Sequence, residues 1–167
     1  LRDFADRNGR HITVISKTRG PEDYPLEINY FKELASGLDF TYVEGDKNQR
    51  DFSTYFSCFS SKLAVVLNSS LGFELLAIGK KVLFCGSGIE NFADQFDVRP
   101  YFDSLPVEVK LQGQYLEHFS QKVQTLDALS DTRFKALVHE RAKPIVDFDP
   151  NNLTQHRVRQ IILDSLK

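Results

Sequence analysis

The chain has 167 residues, of which 41% are hydrophobic and 26% are charged, as expected for one soluble globular domain. Its formal net charge of −2 provides no basic surface for nucleic acid, and no stretch resembles a transmembrane span or a signal peptide. Cys58 and Cys85 form no C-x-x-C pair and lie in apolar runs, which predicts reduced core residues in a cytoplasmic protein. Because the sequence begins at Leu1 and contains no methionine, we expect it to be part of a longer protein.

The first third of the chain alternates between strand and helix patterns. Residues 11–16 are rich in β-branched side chains, which is typical of a strand, and a cationic loop with Lys17 and Arg19 follows. Residues 26–37 predict an amphipathic helix that ends at a glycine, and residues 40–43 predict a second strand. The next helix has four aromatic side chains spaced i, i+3, i+4, i+7: Phe52, Tyr55, Phe56 and Phe59.

Residues 63–88 read as a complete strand–turn–helix–strand unit. Residues 63–67 are a continuous apolar run, which is typical of a parallel strand buried on both faces. Three residues that commonly cap helix N-termini follow: Asn68, Ser69 and Ser70. A short apolar helix over residues 71–78 is predicted to end at Gly79. A buried strand over residues 82–85 then leads into Gly86, Ser87 and Gly88.

This order of elements predicts an α/β fold: a Rossmann-like parallel sheet with helices on both faces, joined by right-handed crossovers. Residues 89–105 look irregular, and the alternating residues 107–111 predict a short fifth strand. The C-terminal third is predicted to be helical, with apolar faces within residues 116–126, 134–138 and 158–166.

Three segments of the predicted sheet converge on the edge where ligands bind in open α/β sheets, at the carboxyl ends of the strands. They are the cations Lys17 and Arg19, the turn from Asn68 to Ser70, and the pair Gly86 and Ser87. A helix N-terminus offers free N–H groups to a phosphate, and arginine grips phosphate with two hydrogen bonds. The sequence therefore predicts a site for a nucleotide or a nucleotide-sugar diphosphate.

Glu74 is the one charged residue in the otherwise apolar short helix. It does not fall three residues after Ser69 or Ser70, so a capping box does not explain it. Two interpretations stay open. Glu74 either gains about 0.3–1 kcal/mol from the helix dipole, or its side chain, which leans towards the helix N-terminus, accepts hydrogen bonds from ribose or sugar hydroxyls.

Other chemistries lack their sequence signatures. The chain contains no P-loop, no G-x-G-x-x-G fingerprint and no G-x-S-x-G nucleophile elbow. Its four histidines are scattered without ligand-like spacing, so we expect no zinc site. Asp147 and Asp149 form an Asp-x-Asp that could hold a divalent metal, but their position before a proline turn favours turn or cap roles.

The segment from Asn68 to Phe84, NSSLGFELLAIGKKVLF, carries a family resemblance. It resembles the S-x-L-G-[FY]-E-x-x-x-x-G-K-K-V signature in the C-terminal domain of GT-B glycosyltransferases. The similarity is greatest to the bacterial surface-carbohydrate group, which includes capsule-type Kdo transferases. Residues 134–167, with their F-D-P-N-N turn, also resemble the tail of such proteins.

The resemblance implies that residues 1–167 are one Rossmann-like, nucleotide-sugar-binding domain, the C-terminal half of a GT-B fold. In that family the small-residue turn and the helix N-terminus hold the donor phosphate, and the matching positions are Ser69, Ser70, Leu71 and Gly72. The glutamate of the motif, matched by Glu74, faces the donor. We name no catalytic base, because that residue often belongs to an N-terminal domain, which we expect to precede this chain and without which we expect no activity.

These features predict a glycosyltransferase domain that moves a sugar from a nucleotide-sugar to a glycan or lipid-linked glycan acceptor. We expect it in the cytoplasm or at the inner face of the membrane, and we expect it to require no cofactor and no metal. One alternative is a nucleotide-sugar epimerase of the same fold, which would turn over free UDP-sugar without an acceptor. Another is a non-catalytic flavodoxin-like interaction module, in which side chains would close the crevice.

Overall fold

The structure is a computed structural model, and it describes residues 1–16, 22–44, 53–67, 69–85, 99–111 and 116–142, together with Ile145, Asp149, Leu163 and Asp164. Four strands lie in these ranges: β1 (Ile12–Ile15), β2 (Phe40–Val43), β3 (Ala64–Val66) and β4 (Val82–Phe84). The same ranges contain seven helices: α1 (Arg2–Arg7), α2 (Tyr24–Ala35), α3 (Ser53–Ser60), α4 (Ser70–Ala77), α5 (Arg99–Ser104), α6 (Leu116–Ala128) and α7 (Asp131–Arg141). The fold is mixed α/β.

The four strands form two parallel pairs. Strand β1 pairs with β2, with Ile12 opposite Phe40, and β3 pairs with β4, with Ala64 opposite Val82. The predicted strand positions and the parallel direction are therefore confirmed. Within the described ranges, no hydrogen-bonded ladder joins the two pairs into the single sheet that the sequence predicted. Each strand has only three or four residues, so few backbone groups are available for a further partner.

The predicted fifth strand is reduced to one bridge. The Phe84 amide donates to the Val109 carbonyl at 2.8 Å, and the Leu111 amide donates to the Phe84 carbonyl at 2.8 Å. These two bonds form a single parallel bridge between Phe84 and Lys110. The preceding residues turn instead of extending, because the Val109 amide donates back to the Pro106 carbonyl at 3.1 Å.

Two helices differ from the sequence-based expectation. Helix α1 was not predicted, and α5 occupies part of the segment 89–105 that was expected to be irregular. Pro100 is compatible with α5 because it lies in the first turn, where a helix does not need its N–H group. Residues 89–98 lie outside the described residues, as does the predicted final helix except for Leu163 and Asp164.

The C-terminal end of α4 follows the prediction closely. Gly79 has a φ of +77°, its amide donates to the Leu76 carbonyl, and the Lys80 amide donates to the Leu75 carbonyl. This pair of bonds is a Schellman motif, in which a left-handed residue ends the helix. At the end of α2 the left-handed conformation begins one residue earlier, because Ser36 has a φ of +37° and Gly37 follows with a φ of +88°.

The predicted apolar faces of α2 and α3 do not enter the core. On α2, Leu26 is 72% exposed, and Tyr30 and Leu34 are also exposed. On α3, Phe56 is 68% exposed and Phe59 is 51% exposed. A helical period identifies an apolar face but not whether another element covers it. The sequence therefore predicted these apolar faces but not that they stay exposed.

The core lies around the β3–β4 pair, helix α4 and the C-terminal helices. Helices α6 and α7 bury the faces that the sequence predicted, with Phe119, Val123 and Leu126 on α6 and Phe134 and Val138 on α7. They share one cluster with Leu75 and Leu76 of α4 and with all of β4. This cluster holds α4 rigidly against β3 and β4, and thereby positions its N-terminus.

Candidate functional site

The sequence predicted ten residues for a donor site at the carboxyl ends of the strands. Five of them lie outside the described residues: Lys17, Arg19, Asn68, Gly86 and Ser87. The other five lie together at the N-terminal part of α4: Ser69, Ser70, Leu71, Gly72 and Glu74. The candidate site can therefore be examined at this helix tip.

The N-terminus of α4 is called open here because the side chain of its N-cap residue, Ser69, does not cap it. Ser69 is the N-cap residue with extended backbone, at φ −139° and ψ 129°, and its hydroxyl makes no capping hydrogen bond. Its carbonyl accepts from the Gly72 amide at 3.0 Å, while the side chains of Ser69 and Ser70 are exposed. The Gly72 amide is thus bonded within the turn, and the Ser69 hydroxyl caps no amide of the first turn of α4.

Gly72 has a packing role that the motif alone does not reveal. It is buried, and a Cβ placed on it would lie 2.8 Å from Val66 Cγ2 and 2.9 Å from Phe84 Cε1. These distances are shorter than a carbon–carbon contact permits, so only glycine allows α4 to lie this close to β3 and β4. The N-terminal turn of α4 therefore lies against the last residues of β3 and β4.

Glu74 is exposed and contacts a side chain from another helix. The Tyr55 hydroxyl of α3 donates a hydrogen bond to Glu74 Oε2 at 2.5 Å. This bond raises the pKa of Tyr55, because a neighbouring carboxylate opposes ionisation of the phenol, and partial burial raises it further. The sequence analysis placed Tyr55 only on a predicted apolar face. No local pattern connects it to a glutamate 19 residues away.

The residues that follow α4 contact the end of α3 at a second point. The Lys80 ammonium group donates to the Phe59 carbonyl at 2.9 Å and to the Ser61 carbonyl, at the C-terminal end of α3. Burial lowers the pKa of Lys80. Tyr55, near the start of α3, meets Glu74 in the middle of α4, and Phe59, near the end of α3, meets Lys80 just beyond α4, so the two contacts follow the same order along both segments.

A second polar cluster lies at the carboxyl end of the β1–β2 pair. Glu27 Oε2 accepts hydrogen bonds from the Tyr42 hydroxyl at 2.7 Å and from the Ser16 hydroxyl. The ring of Tyr24 packs edge-to-face on Tyr42 at 6.3 Å between centroids. This cluster, which the sequence analysis did not anticipate, ties α2 to the ends of both strands.

The Tyr42→Phe variant is expected to lower the free energy of unfolding by about 1–2 kcal/mol at pH 7, because it removes a hydrogen bond to a carboxylate. Burial raises the pKa of Tyr42 and the bond to Glu27 adds to this, although Ser16 opposes it. The contribution is complete below the unfolded pKa of about 10 and is lost as pH rises through the folded value. Urea unfolding between pH 7 and 11 should therefore show a weaker alkaline decline for the variant. An unchanged profile would contradict the assignment.

The described part of the chain gives little support for thiol chemistry or for metal binding. Cys85 follows β4 at the predicted ligand edge, but burial raises its pKa to about 11, so its thiol stays protonated near neutral pH. Within the described ranges, no three histidine, cysteine or acidic side chains come close enough together to hold a metal ion. No helix in these ranges has the length and hydrophobicity needed to cross a membrane.

One known protein family matches most of the chain. Residues 1–158 match a family described as putative O-antigen biosynthesis proteins. The chain belongs to this family. Its members are assigned to the biosynthesis of a surface carbohydrate, which agrees with the predicted role in glycan biosynthesis at that level. No curated protein and no solved structure matches the chain significantly.

Proposed function

We propose that this member of the O-antigen family is the donor-binding domain of a glycosyltransferase. The reaction transfers a sugar from a nucleotide-sugar to a growing surface glycan, and the domain forms the Rossmann-like C-terminal half of a GT-B fold. Three features support the proposal: family membership, an α/β fold with parallel strand pairs, and the open N-terminus of α4. The acceptor contacts and the catalytic base belong to an N-terminal domain.

The open tip of α4 is the observation that carries this proposal. Its backbone amides and the hydroxyls of Ser69 and Ser70 bind the donor phosphates, with the positive end of the helix dipole directed at them. Lys17 and Arg19 neutralise the charge that develops on the leaving phosphate when the glycosidic bond breaks, and Gly86 and Ser87 belong to the same proposed site. Stabilising that charge favours the transition state over the bound donor.

The absence of a hydroxyl cap at Ser69 has a chemical consequence in this scheme. In a helix with a hydroxyl cap, the side chain of the N-cap residue occupies a first-turn amide, whereas the Ser69 hydroxyl occupies none in α4. The first-turn amides other than that of Gly72, which bonds the Ser69 carbonyl, are proposed to receive the phosphate. Because Gly72 holds α4 against β3 and β4, these amides do not need to move when the ligand arrives. Such preorganisation lowers the cost of binding.

Isothermal titration calorimetry of the chain with CMP, UDP and GDP tests the proposal, with the corresponding nucleosides as phosphate-free controls. We expect at least one nucleotide to bind, and Ser70→Asp to weaken it by about tenfold or more because a carboxylate repels phosphate at the helix tip. Thr132→Asp adds the same charge to the exposed first turn of α7 and should leave the affinity unchanged. If none of the three nucleotides binds at millimolar concentration, the proposal is wrong.

A further inference from the structure

Helix α3 presents an outward face that carries three aromatic rings. Tyr55, Phe56 and Phe59 share this face at helical spacing, and they are 37%, 68% and 51% exposed. Another side of the helix is anchored, because Cys58 is buried and belongs to the core cluster. The rings therefore face solvent on a helix that is itself held in place. A contiguous apolar patch on a protein surface often marks a binding site.

The three rings form one continuous surface with a hydroxyl group at its edge. Tyr55 stacks on Phe59, with centroids 6.5 Å apart and planes inclined by only 29°, so the two ring faces are turned in similar directions. Phe56 lies three residues before Phe59, and Ser60 lies four residues after Phe56, on the same side of the helix. The exposed Ser60 hydroxyl donates to a backbone carbonyl at 3.1 Å, and a hydroxyl oxygen that has donated its proton can still accept a hydrogen bond.

The charge and the size of this aromatic surface decide between its possible occupants. None of the eight residues of α3 is charged, and Lys62 is the one cation in the two residues that follow. A lipid surface is recognised by a basic cluster together with apolar side chains, which this helix does not offer. The exposed parts of the three rings amount to roughly 300 Å². Each partner in a stable protein interface buries about 800 Å², so this surface alone is too small to hold a second copy of the chain.

A neutral sugar matches both the small area and the lack of charge. A pyranose ring carries C–H groups on its faces and hydroxyl groups around its edge. The C–H groups pack on aromatic faces, which are electron-rich, while the hydroxyl groups bond to polar groups beside the rings, such as Ser60. Aromatic side chains also supply this contact area at a low cost in conformational entropy. Sugars are moreover the class of molecule that the family is assigned to assemble.

We propose that Tyr55, Phe56 and Phe59 form a binding surface for pyranose rings of the surface glycan. None of the three belongs to the residues predicted for the donor site, so this role goes beyond the proposed function and depends only on membership of the family. The surface holds sugar units that are already part of the glycan, whereas the reacting end contacts the N-terminal domain. A second contact of this kind keeps the glycan close between transfers, because binding at one site raises the effective concentration at the other.

Saturation-transfer difference NMR of the whole chain tests this role, with cellohexaose and the methyl glycosides of glucose, galactose, rhamnose and N-acetylglucosamine as probes. We expect saturation to pass from the protein to the C–H protons of at least one of these sugars. Phe56→Ala and Phe59→Ala should each weaken the binding of that sugar by about two- to tenfold, the range for one aromatic contact. Tyr30→Ala removes an exposed aromatic side chain from α2 and should leave the binding unchanged.

The Phe56→Leu variant separates stacking from general hydrophobic contact. Leucine keeps most of the apolar area but has no ring face, so it should weaken sugar binding as much as alanine does. Phe56→Trp offers a larger ring face and should bind the sugar at least as well as wild type. If Phe56→Leu binds the sugar as tightly as wild type, the ring faces do not recognise it and the proposed role is wrong.

Three other outcomes overturn the sugar-binding role. The first is that no probe receives saturation, or that Phe56→Ala and Phe59→Ala bind the sugar as well as wild type. The second is a dimer in sedimentation equilibrium that Phe56→Ala abolishes, which assigns the surface to a second copy. The third is co-sedimentation with phosphatidylglycerol vesicles that Phe56→Ala abolishes, which assigns it to a lipid surface. Circular dichroism melts establish that each variant is folded, as expected for substitutions of exposed side chains.

Nucleotide titrations of the same variants keep this role apart from the proposed function. The affinity of Phe56→Ala and Phe59→Ala for CMP, UDP or GDP should stay within about twofold of wild type, because neither ring belongs to the donor site. Sugar binding without nucleotide binding would leave the aromatic surface in place and refute the donor-binding function alone. Nucleotide binding without sugar binding would refute only the role of the aromatic surface.

Discussion

Truncating Phe134 to alanine is expected to lower the free energy of unfolding by about 3–5 kcal/mol, the range for a phenylalanine removed from a well-packed core. Phe134 is fully buried in the first turn of α7 and belongs to the same cluster as α4 and β4. Domains of this kind are stable by only about 5–15 kcal/mol. The variant should therefore lose a large part of its stability, measured as the urea midpoint at constant slope.

The control for this prediction is Thr132→Ala on the same helix. Thr132 is exposed, so its truncation should change the free energy of unfolding by no more than about 0.5 kcal/mol. A loss below about 1 kcal/mol for Phe134→Ala would show that α7 does not share a close-packed cluster with α4 and β4 as described. In that case the support for the α4 tip would also have to be reconsidered.

Replacing Gly72 with valine is expected to cost about 3 kcal/mol or more, because inserted methyl groups in a close-packed contact force the backbone or its neighbours to shift. The nearest obstacles are the side chains of Val66 and Phe84, already within 3 Å of the position of a single Cβ. Gly72→Ala should cost less, since the better helix propensity of alanine offsets about 1 kcal/mol of the overpacking.

Compensation distinguishes this mechanism from a direct role of Gly72 in ligand binding. In a Val66→Ala background, one of the two obstructing groups is removed, so Gly72→Ala should destabilise the protein less than it does in wild type. Strictly additive effects of Gly72→Ala and Val66→Ala in urea titrations would contradict the close approach of α4 to β3. Nucleotide affinity should fall only in those variants where α4 is displaced.

The residues of the motif around α4 fall into two groups. Gly72 serves the packing of the helix, whereas Ser69 and Ser70 stand at its open end and Glu74 stands one turn further on. The resemblance to glycosyltransferases assigned all of them to the donor. The structure adds a physical reason for Gly72 that applies whether or not a nucleotide is bound.

Many local features of the fold could be predicted from the sequence. The end of α4 was predicted at Gly79, because a left-handed residue ends a helix and glycine adopts that conformation without strain. The end of α2 was predicted at Gly37, and the left-handed conformation there begins one residue earlier, at Ser36. The buried faces of α6 and α7 were predicted from their spacing, and other elements do cover those faces. The apolar faces of α2 and α3 were predicted by the same spacing, but no element covers Tyr30 or Phe56, and both are exposed.

The sequence by itself determined where the strands and most helices lie, how two of the helices end, and which segment resembles a donor-binding motif. These properties depend on backbone dihedral preferences and on side-chain periodicity, which act over a few neighbouring residues. Only the tertiary structure decided that Tyr55 meets Glu74, that Glu27 joins Ser16 to Tyr42, and that Gly72 lies against Val66. Such contacts depend on how close two elements pack and which sides they turn to each other, and no local pattern of residue types carries that information.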